Sequence, residues 1–189
     1  ALDLERGSPI LDVDMAAARK RIESIGWISS AEIARRLPDV IYVRVVERQP
    51  LAIWQHDGKS ALVDRAGKII QRTGLDAFSE FPLIVGEGAP HQAAQLLDLL
   101  RAYPTVANET EAAVRVSNRR WNLRLHNGID VRLPEKNIAT ALDRLEEFQR
   151  EHALFDRDVI AVDLRVPDRL IVRVNPNAAI PAKARGKDT

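Results

Sequence analysis

The run Val40-Ile41-Tyr42-Val43-Arg44-Val45-Val46-Glu47-Arg48-Gln49-Pro50-Leu51-Ala52-Ile53-Trp54 contains two strands and the joint between them. β-Branched residues dominate Val40 to Glu47, which predicts a strong strand. Pro50, which has no N–H to give a ladder, separates it from a second run, Leu51 to Gln55. Working upstream, Leu37-Pro38-Asp39 reads as a turn and Ile28 to Leu37 as the partner strand. Farther back, Met15, Ala18, Ile22 and Ile25 recur at helical spacing, with Asp12 or Asp14 as cap and Gly26 at the C-terminus. One helix and an antiparallel hairpin therefore precede Arg48.

Downstream the pattern turns to short strands. Leu51 to Gln55, Ser60 to Asp64 and Lys68 to Arg72 form a predicted meander, joined by His56-Asp57-Gly58-Lys59 and Arg65-Ala66-Gly67. Phe81 to Gly86 reads as an apolar bend, and a helix runs from about His91 to Tyr103 until Pro104 ends it. Strands follow at Ala112 to Val116, Trp121 to His126 and Ile129 to Leu133, with Asn127-Gly128 as a type I′ hairpin signal. An amphipathic helix from about Lys136 to Glu151 precedes closing strands at Asp158 to Leu164 and Arg169 to Val174. The fold class is α+β: a helix and hairpin, then a mainly antiparallel β domain with two helices. Residues 176–189 carry too little apolar bulk to pack and read as a flexible tail.

The chain has 189 residues, 28 Lys+Arg against 27 Asp+Glu, and no cysteine. A net charge of +1 excludes nucleic-acid binding by bulk field, and the absent cysteines exclude disulfides, thiolate catalysis and zinc ribbons. No apolar run is long enough to span a bilayer, and the opening at Ala1, without Met, reads as part of something longer.

Catalytic and metal signatures are missing as well. The four histidines, His56, His91, His126 and His152, lie in different segments without carboxylates at ligand spacing. Gly58-Lys59-Ser60 resembles the end of a phosphate loop, but Ile53 replaces the first glycine and no helix follows. The pairs Asp12/Asp14 and Glu146/Glu147 suit a helix start and a solvated helix face better than acid–base chemistry. No cofactor is expected, and an interaction module is what remains.

Two basic features mark possible surfaces. Arg115, Arg119, Arg120, Arg124 and Arg132 face only one acid, Asp130, in that interval. On the last strand, a period of two puts Arg165, Arg169, Ile171 and Arg173 on one side. Leu164, Val166, Leu170, Val172 and Val174 then fall on the other, which is expected to face the core. Such a strand is expected at a sheet edge, where arginines serve either as gatekeepers against pairing or as anchors for an acidic partner. The residues leave those two roles evenly balanced.

Several stretches taken together resemble the FtsQ family of bacterial cell-division proteins. They are Gly26-Trp27-Ile28-Ser29-Ser30-Ala31, Arg36-Leu37-Pro38-Asp39, Glu47-Arg48-Gln49-Pro50-Leu51-Ala52-Ile53-Trp54, Arg119-Arg120-Trp121-Asn122-Leu123 and Val162-Asp163-Leu164-Arg165. The likeness runs from about Ile10 to Val174 and has an alphaproteobacterial flavour.

It implies a POTRA domain at 1–48 that lacks its N-terminal strand and most of its first helix, an FtsQ-type β domain at 49–175, and the tail at 176–189. It also implies a non-enzymatic scaffold of septum assembly, periplasmic, whose parent is anchored in the inner membrane by a helix outside this chain. The implied partners are FtsB, FtsL and other division proteins, and nucleic acid is not among them. Partner contacts carried over by position are Arg165, Val166, Arg169, Leu170, Ile171, Val172, Arg173 and Val174, where a partner adds a strand, together with Arg119 and Arg120. Better-known members carry aromatic residues near each end of this strand. Here Val166 and Val174 stand instead, so heavier reliance on arginine–carboxylate pairs is expected. The rival readings are another POTRA-type periplasmic binder, a basic-patch binder of nucleic acid or lipid, and a cell-wall hydrolase.

Overall fold

A computed structural model describes residues 9–175. The expected tail at 176–189 lies outside the described residues. The chain divides into two compact units, up to Leu97 and from Asp98 onward.

In the first unit, helix α1 (Met15–Glu23) begins where the Asp14 carboxylate accepts the N–H groups of Ala16 and Ala17 at 2.9 and 3.0 Å. Its apolar stripe buries Ala18 and Ile22, whereas Ile25 lies beyond the helix and is exposed. The helix packs against β1 (Ile28–Arg36), which pairs antiparallel with β2 (Val40–Glu47). Along both strands only Ala31 is buried, so this two-stranded sheet has little core of its own. Gly26 does not cap α1, which ends at Ser24. It lies instead where chain and sheet approach closely, because a Cβ there would stand 1.9 Å from the Ile70 carbonyl oxygen.

The remainder of this unit is a four-stranded sheet ordered β6-β3-β4-β5: β3 (Pro50–His56), β4 (Lys59–Asp64), β5 (Ile69–Gln71) and β6 (Leu83–Val85). The predicted meander is β3-β4-β5. Asp57 (φ 49°) and Gly58 (φ 69°) turn between β3 and β4, so the Gly58-Lys59-Ser60 motif is a hairpin with the backbone of a type I′ turn. The expected apolar bend contains a short strand, β6, which pairs parallel with β3, and Ile84 is fully buried there.

Helix α2 (Ala89–Leu100) is followed by a second helix, α3 (Pro104–Glu109). Pro104 closes one helix and occupies the first turn of the next, where its missing N–H costs nothing. The second unit's sheet is ordered β11-β10-β9-β8-β7, from β7 (Thr110–Val116), β8 (Arg120–Leu125), β9 (Asp130–Arg132), β10 (Val159–Asp163) and β11 (Ile171–Val174). All of its pairings are antiparallel except β9 with β10, between which helix α4 (Ile138–His152) crosses.

On β8, Trp121, Leu123 and Leu125 alternate inward, joined by Val131, Val162, Leu142 and Leu145 to form the core. The β8–β9 turn departs from the type I′ expectation. Gly128 has φ 85° but Asn127 is not left-handed; its side chain braces the turn by accepting from Ile129 N and donating to the Phe155 carbonyl. No helix among the described residues is long and apolar enough to cross a membrane.

Candidate functional site

The last strand presents the clearest binding geometry. β10 and β11 pair Asp163 with Ile171, Val162 with Val172, Ala161 with Arg173 and Val159 with Val174, with an irregularity at Ile160. Alternate residues of an antiparallel strand direct their backbone N–H and C=O groups to the same side. Asn175 donates to the Asp158 carbonyl at 3.1 Å, so Arg173 and Ile171 also point toward β10. Val172 and Val174 therefore direct their N–H and C=O groups to the open side, and no strand lies there among the described residues.

The closing strand expected from Arg169, and the strand-adding stretch expected from Arg165, both need correction. Arg165 to Leu170 form the turn between β10 and β11, so Arg165, Val166, Arg169 and Leu170 lie off the strand and only Ile171, Val172, Arg173 and Val174 lie on it. Pro167 cannot donate to a ladder and Asp168 is left-handed (φ 60°), which together make the bend. The expected inward phase fails in part as well. Val172 is half-buried, but Val174 is 57% exposed, because an edge strand near the sheet corner lacks neighbours to cover it. Ile171, at 48% exposed, is another exposed apolar residue of this hairpin, as are Ile160 and Val166.

Arg165 is already engaged. Its backbone N–H and Nε both donate to Asp163 Oδ1, at 3.0 and 2.9 Å, while Arg132 approaches the same carboxylate at 3.8 Å. The Arg165 hydrogen bonds, against an opposing contribution from partial burial, hold the Asp163 carboxyl below the usual aspartate value. A depressed carboxyl pKa contributes stability that is fully present above the unfolded value, about pH 4, and is lost as pH falls toward the folded value. Hydrogen-exchange protection of β10 and β11 is expected to weaken below about pH 4. Asp163→Asn should remove that acid-side loss, and an unchanged acid profile in the variant would show that this carboxylate is not responsible.

The arginine-rich interval does not form a continuous band. Arg115 lies over the Trp121 ring, 5.1 Å from its centroid, and Arg124 pairs with Asp130 at 3.0 Å while donating to the Gly128 carbonyl. Arg119 is exposed on the β7–β8 turn; Arg120 is half-buried on β8, with its Nε enclosed and lacking a hydrogen-bond partner. Arg165 to Val174 lie on one hairpin, whereas Arg119, on the β7–β8 turn, and Arg120, the first residue of β8, lie three strands away in the sheet. Sequence reasoning missed Ile160 and the outward direction of Val172. Pro167 is the signal in the sequence that keeps Arg165 and Val166 off the strand. Among the described residues no group of three or more His, Asp or Glu could hold a metal.

The described residues thus comprise a helix-backed hairpin followed by a β-rich region whose last described strand is open on one side. Residues 1–48 match "POTRA domain, FtsQ-type" and residues 52–165 match "Cell division protein FtsQ/DivIB, C-terminal". The chain belongs to the FtsQ/DivIB family of cell-division proteins. It is 38% identical to the cell division protein FtsQ of Bradyrhizobium diazoefficiens, over 96% of this chain and 53% of that protein. Against the FtsQ of Rhizobium radiobacter the identity is 36%, over 94% of this chain and 85% of the relative. Against that of Caulobacter vibrioides it is 35%, over 87% and 55%. The chain thus spans about half the length of the first and third of these relatives.

Proposed function

We propose that this chain is the periplasmic part of an inner-membrane division protein of a Gram-negative bacterium, acting at the division site as a non-enzymatic scaffold. In this reading residues 1–48 form a POTRA domain and 49–175 the partner-recruiting β domain. FtsB, and with it FtsL, is captured by adding a strand to β11. Arg169 and Arg173, both exposed, pair with acidic partner residues, and Arg119 and Arg120 supply a second charged contact. The observation that supports this is the open side of β11, where the backbone groups of Val172 and Val174 have no neighbouring strand among the described residues.

The register also selects the variant that tests it. Ile171→Pro would remove a donor that faces β10 and so would damage the hairpin itself. Val172→Pro removes an outward donor and leaves the β10 ladder bonded. Capture of the FtsB periplasmic segment by Val172→Pro is expected to weaken about tenfold or more, with thermal unfolding close to that of the parent chain. A folded Val172→Pro chain that binds this segment with native affinity would refute strand addition.

A further inference from the structure

An open edge invites the wrong strand as readily as the right one. β11 is short and rich in β-branched residues, with Arg173 as its single charge, and Ile171 and Val174 are exposed on it. A strand with unpaired N–H and C=O groups and apolar side chains is a template for any other strand, a second copy of itself included. Two copies related by a twofold axis meet edge to edge in antiparallel sense, so residue i faces j wherever j faces i. The backbone groups of Val172 and Val174 are the ones of β11 that face outward, and any such pairing must use them.

The registers that bring these outward groups together centre on Val172, Arg173 or Val174. Centred on Val172, the ladder sets Val174 against Leu170, which lies in the turn before β11. Centred on Val174, it sets Val172 against Pro176, which has no N–H to donate. The register centred on Arg173 lets Val172 and Val174 of one copy exchange both hydrogen bonds with Val174 and Val172 of the other. Arg173 then lies on the axis and faces itself. Its own N–H and C=O point back to β10, so it occupies a non-hydrogen-bonded position, where opposed Cα atoms approach to about 4.5 Å. Like charges placed directly opposite one another are destabilising. Along its row the charge is left unanswered: Arg173 is exposed, its neighbour on β10 is Ala161, and Asp130 beyond is held by Arg124 at 3.0 Å.

We infer that Arg173 keeps β11 from pairing with a second copy of this chain. A strand from another protein need not bring a cation to that position and is not opposed by it. Self-exclusion concerns this chain alone, so it stands or falls separately from capture of FtsB. Amide NMR on labelled wild-type chain, titrated with unlabelled chain, is the test. Unlabelled Arg173→Glu sets a carboxylate against Arg173, whereas unlabelled wild type sets a second guanidinium there. Saturable shifts centred on Ile171 to Val174 are expected with Arg173→Glu, at least about fivefold tighter than with wild type. This mixed pairing should weaken as salt rises, since screening acts on exposed charges.

Two more variants separate edge pairing from other association, with thermal unfolding confirming that each is folded. Arg173→Gln, which removes the charge, is expected to self-associate about fivefold more tightly than wild type in sedimentation equilibrium. Labelled Val172→Pro is expected to lose the response to Arg173→Glu, because the ladder loses an outward donor. An equal response of the wild-type chain to wild type and to Arg173→Glu overturns the inference. So does no response to either, which would mean that the edge is not self-complementary and needs no guard. Shifts that survive Val172→Pro, or self-association of Arg173→Gln no tighter than that of wild type, overturn it as well.

Discussion

Gly26→Ala is expected to lower the unfolding free energy by about 3 kcal/mol or more, the upper range for forcing atoms into a packed site. A Cβ at this position would meet the Ile70 carbonyl oxygen at 1.9 Å and its carbon at 2.9 Å, and both belong to the backbone of β5, which has no rotamer by which to yield. The neighbouring Trp27 fixes the same contact from the other side. Its Nε1 donates to Gln71 Oε1 at 2.8 Å, and its ring lies 6.0 Å from that of Phe78. Gly58→Ala is the control. Nothing lies within 4 Å of its added Cβ, so only the left-handed backbone is penalised, at about 1 kcal/mol. Denaturant melts of the two variants measure the contrast, and a loss under about 1 kcal/mol for Gly26→Ala would show that β5 shifts to accommodate it.

Asp64→Ala is expected to cost about 3 kcal/mol, because it strands a mostly buried guanidinium. Asp64 Oδ2 accepts from Arg48 Nη1 at 2.7 Å, while Oδ1 accepts from the backbone N–H groups of Ala66 and Lys68 at 2.9 and 2.8 Å. The two side chains are only 18% and 10% exposed, so water screens the pair poorly. Arg48 N–H in turn donates to the Trp27 carbonyl, which ties the joint after β2 to the chain entering β1. A double-mutant cycle with Arg48→Met should return a coupling of at least about 1 kcal/mol, and simple additivity would mean that the ion pair contributes little beyond its separate hydrogen bonds.

Much of this architecture could be read from local pattern. The β-branched run of β2, the apolar stripe of α1 with Asp14 before it, and Asp57-Gly58 between alternating runs each act within a few residues, and each appears where physical chemistry puts it. What escaped was set at long range or had two local meanings. β6 has three residues and owes its existence to parallel pairing with β3, some thirty residues earlier in the chain. Pro104 reads as a stop in the sequence, yet it also starts α3. Gly26 reads locally as a helix terminator because its real constraint, the Ile70 carbonyl, is distant in sequence. At the candidate site, the open strand and its exposed arginines were legible from the alternating tail of the chain. Which arginines are already engaged is not, since Arg124 meets Asp130 only when β8 and β9 pair, and Arg165 reaches Asp163, two residues back, only because the chain bends as it leaves β10.

The parallel pairing of β9 with β10 bears on the order in which the molecule assembles. Every other contact in the second sheet joins strands that follow one another closely, whereas β10 can dock only after the chain has travelled out along α4 and returned. Closing so long a loop before any pairing rewards it makes such a step slow. Docking of the β10–β11 hairpin onto β9 is therefore expected to be a late step in the building of this sheet. Under the strand-addition proposal, a chain whose β10–β11 hairpin has not yet docked offers no prepared edge, so partner capture is expected to follow completion of this sheet.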